Sequence, residues 1–462
     1  MNTLLLALRN LLRNRRRSLT TMLSMMVGLV AILVFGGYKS NVTFGLETGF
    51  VQGTGHLQIQ RKNYFQEGGD NPTAYGIADY QHIIDTIKQD PVLAPMLSVV
   101  TPSLQLGGMA GNFSAGVSRS VMAFGVVPDE HNQMLGWNDY HLKSYATPLP
   151  LTNANPDSVV LGTGVARKLR LCHAFNLPNC SQTPEAETST GKAAPADVVA
   201  LSAQEQSNTK PSEETRIEML AATAHGAPNV ASLSVVDAKN MGIKALDDVY
   251  MAMHLTQAQK LIYGKTTPQV TAIQIQLQHT RQLPAAQARL AQLLANDFKD
   301  QPLVVLDYGT LNPMYLQTTQ FMGSVFSFIA TLIAVIVLFT IGNTMSTAVV
   351  ERTVEIGTLR AMGLRRSGIR RLFLCEGMLL SAAGAVLGVL CALIIATFIN
   401  HSGLSWVPPG YSHAYLILIR IWQDPPLLIG SVIGLMIVTL ISAWWPANRA
   451  SRLMIVDALR HV

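Results

Sequence analysis

Between Asp307 and Glu351 the sequence holds no charged residue for 43 positions. A single helix over that run would measure roughly 65 Å at ~1.5 Å per residue. Only the part from about Met322 to Val350 is continuously apolar. A helix here is predicted to cross a ~30 Å hydrocarbon core and to stand out of it as a stalk. A second charge-free run covers Ser18–Tyr38, 21 residues between Arg15–Arg17 and Lys39. Two more spans follow, at about Gly377–Ile399 and Pro426–Trp445. The composition agrees, with 13% charged and 49% hydrophobic residues. A globular chain carries about 25% charged residues, and a disordered chain or a coiled coil would carry more still. The first run is expected to stay as a span and not to be cleaved as a signal peptide, because it is long and no A-x-A-like site follows.

Charge then orients the chain. Residues 1–17 hold five arginines and no acid, and the stretch from Glu351 to Glu376 holds six arginines and three glutamates. The tail after Trp445 holds three arginines and one aspartate. Those segments total 14 basic and 4 acidic residues, leaving 20 basic and 24 acidic elsewhere. The positive-inside rule puts both termini and the 351–376 segment in the cytoplasm. The net charge of +6 therefore reflects topology, and no nucleic-acid partner is expected.

The resulting layout is a polytopic α-helical membrane protein with four transmembrane helices and a large α+β periplasmic domain between helices 1 and 2. Its expected parts are a cytoplasmic amphipathic segment 1–17, helix 1 at 18–38, the periplasmic domain 39–320 and helix 2 at 322–350. A cytoplasmic segment 351–376, helix 3 at 377–399, a periplasmic loop 400–425, helix 4 at 426–445 and a cytoplasmic tail 446–462 complete it. Inside 39–320, His56–Gln60 and Ser118–Val127 have strand character, and Asp79–Gln89 and Pro284–Asp297 have helical spacing. Residues 181–215 are rich in Ser, Thr, Ala and Glu and lack aromatics. They are expected to be a mobile insertion. Cys172 and Cys180 flank a short loop before it and are candidates for a disulfide in an oxidising compartment. Cys375 and Cys391 are expected to be plain packing residues.

Catalytic signatures are missing from the sequence. No G-x-x-x-x-G-K-[ST] phosphate loop occurs, so ATP hydrolysis by this sequence alone is not expected. There is no HExxH, no paired Cys/His spacing for a metal and no G-x-S-x-G elbow. Gly162-Thr163-Gly164 reads as a turn between a strand and a helix. The spans contain no Asp, Glu, Lys or Arg, and no internal repeat is evident, which argues against ion-coupled transport. No metal and no cofactor are expected on the chain itself.

The segment Val349–Arg366 mixes charges with Val354, Ile356, Leu359 and Met362. It suits a short helix at the membrane surface, stopped at Gly363. Its charges are either anchors in the headgroup region or a docking element for a cytoplasmic partner.

Glu351–Gly363, with Phe373, Glu376 and Gly377, resembles the signature of MacB/LolC/LolE/FtsX-type ABC transporter permeases. The tail Pro446–Arg460 and the start Leu6–Arg17 are similar to the closing and opening motifs of that family. Val159–Leu169 and Gly242–Asp248 are similar to its lipoprotein-release (LolC/LolE-like) subgroup. The resemblance implies a mechanotransmission permease. Two permease chains, as a homodimer or with a paralogue, would bind two copies of a separate cytoplasmic ABC ATPase, which brings ATP and Mg. Glu351, Arg352, Glu355, Arg360, Gly363 and Arg366 would couple the chain to it. A lipidated or amphipathic substrate would be extracted or exported. In FtsX-like relatives a periplasmic partner is switched on instead, and in MacB-like relatives an adaptor assists efflux.

Met22, Met25, Met26 and Phe35 offer a soft apolar surface that could adapt to acyl chains, set against the more ordinary reading of lipid-facing or core residues. Gly384, Gly388, Ala392 and Ala396 form a small-residue stripe that serves either packing within the chain or contact between chains. Membrane lipid is the expected surrounding.

Overall fold

The computed structural model describes residues 3–13, 15–69, 71–143, 146–178, 215–408 and 410–453. The 181–215 insertion, except Thr215, and Cys180 lie outside the described residues, as does the tail beyond Leu453. Among the described residues four helices are long and apolar enough to cross a membrane: Arg15–Thr54, Pro313–Glu351, Arg366–His401 and Pro425–Arg452. The chain divides into two compact units. One comprises Met1–Gly45, Leu316–Trp406 and Tyr415–Val462; the other comprises Leu46–Tyr315 and Val407–Ala414.

In the helical unit, glycines decide how closely two long helices approach. A Cβ on Gly384 would sit 3.1 Å from Met25 Cβ, and one on Gly388 would sit 3.0 Å from Leu29 Cδ2. The small-residue stripe of the third long helix therefore receives the first long helix of the same chain. Phe35 stacks on Phe326 of the second long helix, ring centroids 6.2 Å apart. Ala443, Ala447 and Ala450 bring the fourth helix into the same core as Met345, Phe373 and Leu380.

The first long helix does not stop where its charge-free run ends at Tyr38. It continues through Lys39 and Glu47 to Thr54, 40 residues in all, because isolated charges and the absence of proline leave helix formation undisturbed. Gly55 stops it. Its φ is +78°, and a Cβ there would lie 2.8 Å from the Ile275 carbonyl oxygen. The second long helix spans 39 residues, about 58 Å at ~1.5 Å per residue.

The second unit is built on nine strands: β1 (Leu57–Arg61), β2 (Leu97–Asn112), β3 (Val117–Val126), β4 (Ser158–Gly162), β5 (Arg216–Ala222), β6 (Pro228–Lys239), β7 (Tyr250–His254), β8 (Ala272–Leu277) and β9 (Leu303–Asp307). Their order is β3-β7-β4-β6-β5-β2-β8-β1-β9, with β3 also paired to β2. That extra pairing closes β2, β3, β7, β4, β6 and β5 into a ring, which leaves no free edge among those six. The long strand β2 serves both parts. Residues 97–103 pair with β8 in the open sheet, and residues 104–112 pair with β3 in the ring. Strict alternation along β5 turns Ile217, Met219 and Ala221 inward, where they join Leu104, Leu106 and Met251 in one apolar core. The strands and helices expected near residues 57, 118, 80 and 284 are present within one residue of those positions.

His56 stands just before β1 with no exposed surface. Its Nδ1 accepts from the Leu277 amide at 3.0 Å and its Nε2 lies 3.2 Å from Thr280 Oγ1. Burial lowers its pKa from 6.5 to about 4, and burial does the same to His131. Both groups are therefore neutral when folded, while the unfolded chain takes up protons below pH ~6.5. Stability is complete above that pH and is lost as pH falls toward 4, by on the order of 3 kcal/mol per histidine. The melting temperature should fall steadily between pH 6.5 and 4, and His56→Gln should flatten that slope. An unchanged slope in the variant would show that another group carries the pH dependence.

Candidate functional site

The basic end of the helical unit gathers three segments. A short helix, Thr3–Arg13, precedes the first long helix. A linking helix, Thr353–Ala361, follows the second long helix. The third long helix begins at Arg366. At their meeting point Arg352 Nη1 donates to Glu376 Oε1 at 3.0 Å and to Oε2 at 3.3 Å. Asn10 Nδ2 donates to the same Oε1 at 2.7 Å, and Arg352 Nη2 donates to the Asn10 carbonyl at 3.3 Å. The two side chains of the ion pair are only 8% and 4% exposed. A buried charge pair with these extra hydrogen bonds fixes geometry, because breaking it strands a charge away from water.

Around this buried pair lie solvent-facing ones. Arg13 pairs with Glu355, and Arg17 pairs with Glu351. The Arg360 guanidinium donates to the Leu453 carbonyl. The linking helix starts with the Ile356 amide on the Arg352 carbonyl at 2.9 Å, and Ile356 itself is buried. It stops at Gly363, whose φ of +93° favours glycine. The Gly363 and Leu364 amides bond the Arg360 and Leu359 carbonyls, at 3.0 and 3.1 Å, in the manner of a helix C-cap. Val354, Thr358, Ala361 and Met362 are exposed on the helix, at spacings that share one face.

Of the six residues expected to meet an ATPase, Glu351, Glu355 and Arg366 are exposed and Gly363 sets the helix stop. Arg360 is half-buried on Leu453. Arg352 is buried and points into the unit, where it pairs with Glu376. Asn10, Arg13, Arg17 and the pairing of Glu376 were not foreseen. Asn10 and Glu376 are 366 positions apart, and no local spacing could join them.

Met25, one of the four residues expected to face a substrate, is fully buried against Gly384. Met22 and Met26 are half-buried, and Phe35 is engaged with Phe326. The face of the first long helix that is exposed instead carries Leu19, Leu23 and Val27. Cys375 and Cys391 are free and half-buried. Among the described residues no group of three or more His, Cys, Asp or Glu side chains is placed to hold a metal ion.

Residues 326–455, which include the linking helix and Glu376, match the family model for the FtsX-like permease C-terminal region. A macrolide export ATP-binding/permease protein, MacB of Bordetella avium, is 28% identical over 213 residues, covering 46% of this chain and 30% of that protein. The lipoprotein-releasing system transmembrane protein LolC of Neisseria meningitidis is 24% identical over 243 residues, covering 51% of this chain and 56% of that protein. The chain thus spans less than two thirds of the length of these relatives. The periplasmic region of MacB from Actinobacillus actinomycetemcomitans aligns over 57% of this chain and 94% of that one, at 11% identity and a TM-score of 0.30. Four long apolar helices and the sequence matches converge: this chain carries an FtsX-like permease domain over residues 326–455 and has ABC permeases of the MacB and LolC type as its relatives.

Proposed function

We propose that the chain is the membrane subunit of an ATP-driven complex in the bacterial inner membrane, with both termini and the linking helix cytoplasmic and the sheet-rich unit periplasmic. A second permease chain and two copies of a cytoplasmic ABC ATPase complete the assembly. ATP and Mg are bound by that ATPase, since this sequence has no phosphate loop. The observation that carries the reading is the linking helix. It lies inside the matched domain, is anchored from behind by Arg352 and Glu376, and leaves Val354 and Met362 uncovered, 44% and 71% exposed. Such a helix receives a push from a docked partner and passes it on through a junction that cannot flex without stranding a charge.

The substrate class we assign is lipidated or amphipathic, as for a lipoprotein-release system. The exposed face of Leu19, Leu23 and Val27 presents apolar surface along the first long helix, and one relative is named for lipoprotein release. A MacB-like periplasmic adaptor remains the alternative assembly.

The test is reconstitution in nanodiscs. The purified chain alone should not hydrolyse ATP, and adding its ATPase should give a stable complex that does. A reporter fused after Val462 should be cytoplasmic. Robust turnover by the isolated chain, or a periplasmic reporter, would overturn the reading. Mass spectrometry of co-purified lipid and protein tests the substrate class, and recovery of only ordinary membrane lipid from a nucleotide-free complex would count against it.

A further inference from the structure

The three glutamates at the basic end of the helical unit are already taken. Glu351 pairs with Arg17, Glu355 with Arg13 and Glu376 with Arg352. Among the described residues of that unit one further acid occurs, Asp424. It accepts from the Leu427 amide at the start of the fourth long helix, whereas Arg449 and Arg452 stand in the last turn of that helix, roughly 40 Å of helix away. Arg365, Arg366, Arg370, Arg371, Arg449 and Arg452 therefore have no carboxylate partner among the described residues. Arginines in open water need none, but these border the apolar runs of the third and fourth long helices.

Gly377 sets how those two helices lie. A Cβ there would sit 3.4 Å from Ala443 Cβ and 3.6 Å from Thr439 Cγ2. Two turns before Gly377, Arg370 places its Cζ 5.2 Å from the centroid of the Trp444 ring. The helices thus run antiparallel, and going back along one while going forward along the other reaches the same level. One contributes Arg370 and then Arg366; the other contributes Trp444, Asn448 and Arg452. Each set is spaced by four residues, so each keeps to one side of its helix. Ile441 and Ile437 extend the side of Trp444 in the other direction, into the span, and both are exposed, as Trp444 is. An exposed apolar stripe therefore ends in guanidinium groups, with an indole ring at the join. Arg366 and Arg452 are exposed and Arg370 is half-buried on that ring, which holds its planar fork at the edge of the apolar surface.

We propose that the basic end of the third and fourth long helices is a binding site for an anionic phospholipid, its phosphate held by Arg366, Arg370 and Arg452 and an acyl chain lying along Trp444, Ile441 and Ile437. Charge complementarity selects this occupant. Guanidinium forks match phosphate oxygens, basic clusters beside a transmembrane helix attract anionic headgroups, and tryptophan favours the membrane–water interface. A soluble partner could meet the arginines, but Ile441 and Ile437 lie one and two turns further into the span, where only a lipid reaches both. The site requires that the four long helices cross a bilayer and stands apart from the ATPase and from the transported substrate.

The test uses the full chain in detergent, with dioleoylphosphatidylglycerol or dioleoylphosphatidylcholine added at matched concentrations. Phosphatidylglycerol should raise the melting temperature to a plateau and stay on the chain in native mass spectrometry, and phosphatidylcholine should do neither. Arg370→Gln with Arg452→Gln should weaken the apparent affinity for phosphatidylglycerol by about tenfold or more, as expected when charge-assisted hydrogen bonds to phosphate are lost. Trp444→Leu should weaken it in the same direction. Arg9→Gln with Arg16→Gln removes the same charge from exposed positions elsewhere at this end and should leave lipid affinity as in the parent. Melting temperatures without lipid report whether each variant folds, and the parent's preference between the two lipids needs no variant at all. Equal stabilisation by both lipids, an equal loss in the Arg9 and Arg16 variant, or stabilisation by inorganic phosphate as large as that by phosphatidylglycerol would each overturn the site. So would unchanged lipid affinity in the Arg370 and Arg452 variant, and if that variant also lost its co-purifying ATPase, the arginines would be a protein-docking face instead.

Discussion

Arg352→Ala is expected to destabilise the helical unit by about 3–5 kcal/mol, because it leaves the Glu376 carboxylate buried without its cation. Among the described residues Asn10 would remain as a side-chain donor to that carboxylate, too little to compensate a charge that is 4% exposed. The readouts are the melting temperature in detergent and the amount of ATPase that co-purifies. Both should drop sharply. Arg352→Met combined with Glu376→Met should recover most of the melting temperature, since apolar residues often replace a buried ion pair without loss. If the pair transmits motion, the recovered protein should still hydrolyse ATP without coupling it to transport. High salt separates this site from its neighbours. The Arg13–Glu355 pair is about half exposed on both sides, so it is screened and contributes ~0–1 kcal/mol, whereas the Arg352 effect should persist. A melting temperature for Arg352→Ala close to that of the parent would mean that Glu376 is not buried as described.

The four spans were legible because one physical demand, the absence of charge over about 20 residues, leaves a mark in the sequence that no other fold needs. The ring of six strands was not legible. Its closure depends on β3 returning to β2 and on β7 lying between β3 and β4, and strand periodicity carries no information about partners. The length of the first long helix was underestimated for a related reason. Hydropathy marks the part that faces lipid, while Gly55 sets the end by a backbone angle and a close approach to Ile275. At the basic end the sequence drew attention to 351–366 through its charges but did not say which of them face inward. Arg352 and Glu355 look equivalent in sequence. One is 7% exposed, and the other is exposed, because consecutive turns of the chain put Arg352 beside Glu376 and Glu355 beside Arg13. The methionines of the first span behaved likewise, since a residue type that suits acyl chains equally suits a glycine groove, and Gly384 took Met25.

The face of the linking helix should decide whether the ATPase docks there. Val354→Asp and Met362→Asp change residues that are 44% and 71% exposed, so folding should tolerate both. In a docked interface each would bury a carboxylate against the partner. A central contact of that kind is worth ~2 kcal/mol or more, or about 30-fold in affinity. Co-purified ATPase should therefore fall at least that far while the melting temperature stays put. Glu355→Lys should also weaken assembly, with at most a small stability change, because its pair with Arg13 is exposed. Gly363→Val acts differently. Nothing lies within 4 Å of the position, so space is available, but φ of +93° strains a β-branched residue by ~1–2 kcal/mol. Relieving that strain would shift Arg365 and Arg366 and the start of the third long helix, so assembly should survive while ATP turnover loses its response to substrate. The pattern is what discriminates: the face variants lose binding, and the glycine variant loses coupling. Normal ATPase recovery across Val354→Asp, Met362→Asp and Glu355→Lys would place the docking surface elsewhere. The linking helix would then be an anchor in the headgroup region, and its charges would matter only for where the chain sits in the membrane.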